Sequence, residues 1–137
     1  MVRDKSKLDT VIKQYGNKDN METLLNRRSI SSYNCWGFTA VMVGWETRLH
    51  WIHEDVMTDL LLRNSVTISE SDVQNGDILV YSHKSDKLDL SHTAIMVDKD
   101  KRIFIHKPGG GPLELQDICG TLGNITYDGF YEYRRPK

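Results

Sequence analysis

One cysteine and two histidines are placed where they could share chemistry. Cys35 follows Ser31-Ser32-Tyr33-Asn34 and opens the apolar stretch Cys35 to Trp45, which contains Gly37 and Gly44. The serines offer capping oxygens, so the stretch reads as a buried helix starting close to Cys35. A thiol attacks a carbonyl as its thiolate, and a helix N-terminus favours that anion through unpaired N–H groups and the dipole. The expectation is therefore a Cys35 of lowered pKa; the plainer alternative is a buried cysteine packing as a small hydrophobe. His92 opens the run His-Thr-Ala-Ile-Met-Val after a polar loop. There, a strand end would present it to a cleft, ready to take the thiol proton and return it to a leaving amine. A solvent-facing histidine is its plainer reading.

His106 closes the next apolar run. A tight turn at Asp98, Lys99 and Asp100 would pair Val97 with Lys101 and bring His92 directly opposite His106. One face would then carry His92, Ala94, Met96, Phe104 and His106, and the other Thr93, Ile95, Val97, Ile103 and Ile105. A second imidazole beside the first can orient it and fix its tautomer. A slip of one residue would turn His106 to the wrong face.

The elements that must position these residues are helices first and strands afterwards. Leu8, Val11, Ile12 and Tyr15 give helical spacing over Lys7 to Tyr15, with Gly16 as a stop. Met21 to Arg27 reads as a second short helix, and Ile52 to Arg63 as another beyond the Cys35 helix. From Asn64 the period changes: Ile78–Tyr81, Thr93–Val97, Arg102–His106 and Phe130–Tyr133 are short β-branched or aromatic runs. Asn75-Gly76-Asp77 marks a turn before the first, and Asp98–Lys101 makes the middle two a hairpin. The fold class expected is α+β, one domain over residues 1–137, with a helical part at about 5–63 and a mainly antiparallel sheet at about 76–135. The irregular segments Ser82–Ser91 and Pro108–Pro112 flank the strands that carry the histidines.

Asn34-Cys35-Trp36-Gly37-Phe38, Asn75-Gly76-Asp77-Ile78-Leu79-Val80-Tyr81, Ser91-His92-Thr93-Ala94-Ile95-Met96-Val97 and Phe104-Ile105-His106 follow one another in an order that resembles the NlpC-like branch of papain-fold cysteine peptidases. The resemblance covers roughly residues 33 to 135, including Gly129-Phe130-Tyr131-Glu132-Tyr133-Arg134 as a last strand. It implies a papain-like fold, with Cys35 as nucleophile, His92 as base and His106 as the orienting residue. It also implies a thiol protease or amidase that cleaves peptide bonds in bacterial cell-wall stems and needs no cofactor or metal. Asn34 and Trp36 stand where the family usually has an aspartate and a small residue, and a bulky Trp beside the nucleophile would reshape the cleft that receives substrate. The related CHAP amidases usually have an acidic residue or Asn in the third position, so His106 favours the NlpC-like branch. The Cys35 N–H is the natural oxyanion donor, and Tyr33 or Asn34 could supply the second.

Other residues have plainer readings. His50 and His53 stand near Glu54 without a His-Glu-x-x-His pattern, so a solvated helix start is expected rather than metal. His83 lies in a polar loop, Cys119 reads as packing, and Gly109-Gly110-Gly111 as a flexible rim rather than a phosphate loop. Trp36, Trp45 and Trp51 are core candidates, with Trp36 the one able to meet substrate.

The chain has 137 residues, 39% apolar and 27% charged, and a net charge of -1. Its basic residues are scattered among acids, which argues against nucleic acid, and Arg134, Arg135 and Lys137 read as a charged tail. No run is long enough to span a membrane, and the charged Met1 to Lys13 has no signal-peptide core. Synthesis in the cytoplasm is expected, with non-standard delivery or lysis carrying the protein to the cell wall as an antibacterial effector or phage enzyme. Its expected partners are a peptidoglycan peptide and an inhibitory or immunity protein, with the protein itself a monomer. Two readings stay open beside hydrolysis: a papain-fold transferase or deamidase acting on protein or lipid, and an inactive binding module.

Overall fold

The fold begins with a short amphipathic turn sequence: Leu8 and Val11 lie on one side of α1 (Ser6–Gln14) and are its buried residues. Asp4 caps the helix by accepting from the Ser6 N–H at 2.9 Å. The computed structural model describes residues 4, 6–14, 32–82, 90–108, 111–118 and 130–137. The helix expected at Met21–Arg27, the ends at Tyr15 and Gly16, His83 and Cys119 lie outside the described residues.

Helix α2 (Cys35–Met42) is buried on nearly every side, as its apolar composition requires. Asn34 caps it in place of the serines, its Oδ1 accepting from the Gly37 N–H at 2.9 Å and the Ile52 N–H at 3.2 Å. At Gly37 the returning chain lies against the helix: a Cβ there would stand 1.9 Å from the His50 carbonyl oxygen. The helix stops at Met42, short of Trp45, and Gly44 takes a φ of 84° just beyond it. Helix α3 (Glu54–Asn64) buries Met57 and Leu61 and carries Glu54 and Asp55 in its first turn, which suits the helix dipole.

The strands are β1 (Ser65–Ile68), β2 (Ile78–Ser82), β3 (Leu90–Asp98), β4 (Ile103–His106), β5 (Glu114–Gln116) and β6 (Phe130–Pro136). They form one sheet in the order β1-β6-β2-β3-β4-β5, with every neighbouring pair antiparallel. Strands β1 and β5 are additions to the sequence reading, and β1 starts the sheet at Ser65 rather than near residue 76.

Alternation gives the sheet two apolar faces. Ile78, Val80, Ile95, Val97 and Ile105 pack with the helices, while Leu79, Tyr81, Ala94, Met96, Phe104 and Tyr133 form a second cluster behind them. The expected turn is present: Gly76 takes a φ of 93°, its N–H donates to the Met96 carbonyl at 2.8 Å, and Met96 donates back to Asp77 at 2.9 Å.

Two expectations are corrected. The hairpin pairs Ile95 with Ile105 and Met96 with Phe104, then shifts so that Asp98 faces Ile103. The register is thus two residues from the expected Val97–Lys101 pairing, because a bulge at Val97 and a longer turn absorb the difference; Arg102, at the end of that turn, takes a φ of 55°. Continued outward, this register places Ala94, not His92, opposite His106. The charged tail is structural. Buried Arg134 donates from Nε to Ser65 Oγ at 2.8 Å and from a terminal nitrogen to the Ser65 carbonyl at 3.1 Å. Arg135 holds the buried Asp77 carboxylate at 2.9 Å.

Candidate active site

Cys35 is the first residue of α2 and only 9% exposed. Strand β3 runs beneath it: Thr93 Oγ1 lies 2.8 Å from Thr39 Oγ1 and donates to the Cys35 carbonyl at 3.4 Å. The expectation of a lowered thiol pKa is not met. Burial pushes the thiol up to about 11, although the N–H groups of Thr93, Trp36 and Cys35 itself and the charge of Lys107 all favour the thiolate. The first turn of an eight-residue helix does not offset the loss of water around the sulfur.

The histidines do meet. His92 Nε2 lies 2.8 Å from His106 Nδ1, and the rings cross edge-on at 78°. A two-residue register slide keeps both on one face, and the side chains span the diagonal. His92 is buried rather than set at an open cleft: it lies within β3, 4% exposed, stacked on Tyr81 with 6.0 Å between centroids. Burial, and then the neighbouring His106, push His92 down to about 3. Burial also lowers His106, against an upward pull from Glu114. The pair is therefore neutral, with one ring N–H donating to the other ring's bare nitrogen. Glu114 pairs with His106 across the β4–β5 ladder, its carboxylate 4.0 Å from His106 Nε2.

Thiol and imidazoles approach the same two strands from opposite faces. Thr93 turns to α2 and His92 away from it. One strand over, Lys107 reaches the helix side, where its ammonium stands 4.7 Å from the centre of the Tyr33 ring, while His106 turns away. The Thr93 N–H faces the sulfur, so the imidazole springs from the adjacent residue. Among the described residues, the structure brings His92 and His106 into direct hydrogen bond and places Cys35 with Thr93 and Lys107. It shows no hydrogen bond between Cys35 and His92.

Comparison of the chain with protein-family models, with curated proteins and with solved structures gave no match in any of the three.

The case for chemistry rests on the geometry. Lys107 and Glu114 are the residues the sequence reading missed. Lys107 is fully buried, which is rare for lysine. Its pKa is lowered by that burial and pulled the other way by Cys35. The usable signal was its position: the residue after an inward-facing strand histidine must turn to the opposite face, here the thiol's. Of the two candidates for the second oxyanion donor, the Asn34 side chain is spent on the cap, its Nδ2 donating to the Ile52 carbonyl at 2.8 Å. Tyr33 is fully buried beneath Lys107.

The plainer readings stand as follows. His50 and His53 are exposed, with His50 Nε2 3.7 Å from Glu46, and no metal-binding cluster occurs among the described residues. Trp36 and Trp45 pack against the core, whereas Trp51 is 53% exposed and no core residue. Gly111 closes a turn on Pro108 at 3.0 Å; Gly109 and Gly110 lie outside the described residues. No described helix is long and apolar enough to cross a membrane.

Proposed function

We propose that the protein is a papain-like cysteine hydrolase acting on an amide bond, with Cys35 as nucleophile, His92 as base and His106 as its orienting partner. The observation that carries this is the 2.8 Å bond between His92 Nε2 and His106 Nδ1, on the strand whose next N–H faces the Cys35 sulfur. That bond occupies Nε2 and leaves Nδ1 of His92 as the atom for thiol chemistry. The sulfur attacks the carbonyl carbon and its proton passes to His92. Collapse of the tetrahedral intermediate breaks the C–N bond, and the amine leaves with that proton. Water, deprotonated by His92, then attacks the thioester; the C–S bond breaks, the acid is released, and the proton on His92 returns to the Cys35 sulfur. Lys107 offers positive charge beside the thiolate.

The state described here is a resting one. A thiol near 11 does not hand its proton to an imidazole near 3. Thiol and imidazole also lie on opposite faces of β3 with no hydrogen bond between them. Substrate entry must therefore both bring polarity to the two groups and turn the His92 ring to the thiol's side before the ion pair forms. The resemblance of residues 33–135 to NlpC-like enzymes supports a peptidoglycan stem peptide as substrate and the cell wall as the place of action. Incubating sacculi with the protein and its Cys35→Ala variant, and reading released fragments by mass spectrometry, tests this. Fragments from the wild type alone support the reading; intact sacculi with both remove the substrate assignment.

The buried neutral thiol favours a second reading, a scaffold that binds without catalysis. Alkylation of Cys35 that stays slow in the presence of cell-wall fragments would select it; acceleration by them would exclude it.

A further inference from the structure

A cavity of about 320 Å³ lies between α1 and α2, apart from the histidine pair. Val11 of α1, Phe38, Val41 and Met42 of α2, and Leu49 and Leu113 make its walls, and Tyr33 lines it as well. A site of that size and apolar character falls within the range of small-molecule pockets. Among the described lining residues the charged ones are both basic, Lys7 and Arg48; both are exposed, as is Thr47, so they meet solvent at the cavity's edge. Asp4, whose carboxylate accepts from the Ser6 hydroxyl at 2.7 Å and the Ser6 N–H at 2.9 Å, is not among the described lining residues, and Lys7 is the smallest of the causes that act on it. An elongated apolar body with one anionic end matches both features. A cation would meet two like charges, and a polar ligand would lose its hydration against aliphatic walls.

We propose that this cavity binds a linear fatty carboxylate, with its chain between α1 and α2 and its head group at Lys7 and Arg48. The inference goes beyond the hydrolase reading and does not require Cys35 to react.

Titration calorimetry with octanoate, decanoate and dodecanoate, each below its micellar concentration, tests it on the full chain. Affinity should rise by about fourfold per added methylene until the cavity is full. Dodecyltrimethylammonium should bind at least tenfold more weakly than dodecanoate. The Lys7→Glu/Arg48→Glu double variant changes exposed side chains only, so it should fold normally, lose at least tenfold in dodecanoate affinity and narrow the preference over the cation. Leu49→Trp, at a half-buried wall position, should block binding with the circular dichroism spectrum unchanged. Cys35→Ala should bind as the wild type does, so failure of the hydrolase reading leaves this test intact. Affinity independent of chain length, equal binding of the cationic amphiphile, or full binding by Leu49→Trp would each overturn the proposal. So would attachment to anionic phospholipid vesicles with no binding of monomeric dodecanoate.

Discussion

The fully buried Lys107 offers a sharp quantitative test of the site. Its ammonium lies over Tyr33, two residues before Cys35, and its charge favours the thiolate. Replacing it by Met keeps the buried aliphatic volume and removes the charge. The Lys107 charge is the smallest of the causes that act on the thiol, so the low end of the roughly 1–3 pH units expected from an opposite charge within about 4–6 Å is its ceiling, and Lys107→Met should raise the thiol by at most about one pH unit. In the range where the thiol is mostly protonated, the thiolate fraction then falls by up to about tenfold. A more basic thiolate is also more nucleophilic, with a Brønsted slope of roughly 0.4–0.5, which recovers about half of that loss on a logarithmic scale. The net expectation is alkylation slower by about threefold.

The assay is the second-order rate of iodoacetamide with Cys35, measured from about pH 7 to 11 in a Cys119→Ser background that leaves one thiol. The parent protein should react tenfold faster per pH unit with no plateau below about 11. Lys107→Met should give a parallel, lower line, and Lys107→Arg should restore most of the rate because it restores the charge. A Lys107→Met line coinciding with the parent's would refute the electrostatic role. A loss that Lys107→Arg does not recover would make the role one of packing.

Three further outcomes follow from other parts of the structure. Buried His92 refuses a proton down to about 3, while the unfolded chain takes one near 6.5, so stability is full above about pH 6.5 and falls as pH drops toward 3. Urea unfolding should show a loss of about 3 kcal/mol between pH 7 and roughly 4.5, with a shallower slope in His92→Gln. Arg134→Met leaves Ser65 and Glu132 without their guanidinium partner and should cost about 2–4 kcal/mol in the same assay; a change below about 0.5 kcal/mol would restore the charged-tail reading. Gly37→Ala puts a methyl 1.9 Å from the His50 carbonyl oxygen, a backbone atom, and should cost about 3 kcal/mol.

The legible part of the site is the part fixed by local chemistry and by parity. Polar capping residues before an apolar run mark a helix start, so Cys35 was placed at one although Ser31 and Ser32, rather than Asn34, were read as the cap. His92 and His106 were placed on one face despite the wrong register, because a slide by two residues leaves every side chain on its original side. Asn75-Gly76-Asp77 was readable because a φ of 93° at Gly76 selects glycine. The illegible part depends on what lies around a residue. β5 is three residues long, too short to show alternation, and β1, only four residues long, fell between the expected helical and sheet parts and was assigned to neither. Arg134 looks like a tail until β1 supplies Ser65 and Thr67 as its acceptors. The same blindness explains Cys35: dipole and capping are local and were read correctly in sign, while the burial that outweighs them involves β3, whose Thr93 contact lies 58 positions further along the chain.

One cause acts with opposite sign on the two halves of the proposed machinery. Burial disfavours the thiolate and it disfavours the imidazolium, so both partners are held neutral and the fold stores them in the form least able to react. The groups that oppose burial are placed asymmetrically. Lys107 acts on the thiol from the helix side, whereas Glu114 acts on the imidazole pair from the other face, through His106 at 4.0 Å. Glu114 belongs to β5, the edge strand of the sheet, and its side chain is 42% exposed. The line from His92 through His106 to Glu114 thus leads from the interior to solvent, while Lys107 stays inside. Salt and external pH therefore act first on the histidine side, where the carboxylate is open to screening, and last on the thiol side, whose counter-charge is sealed from water.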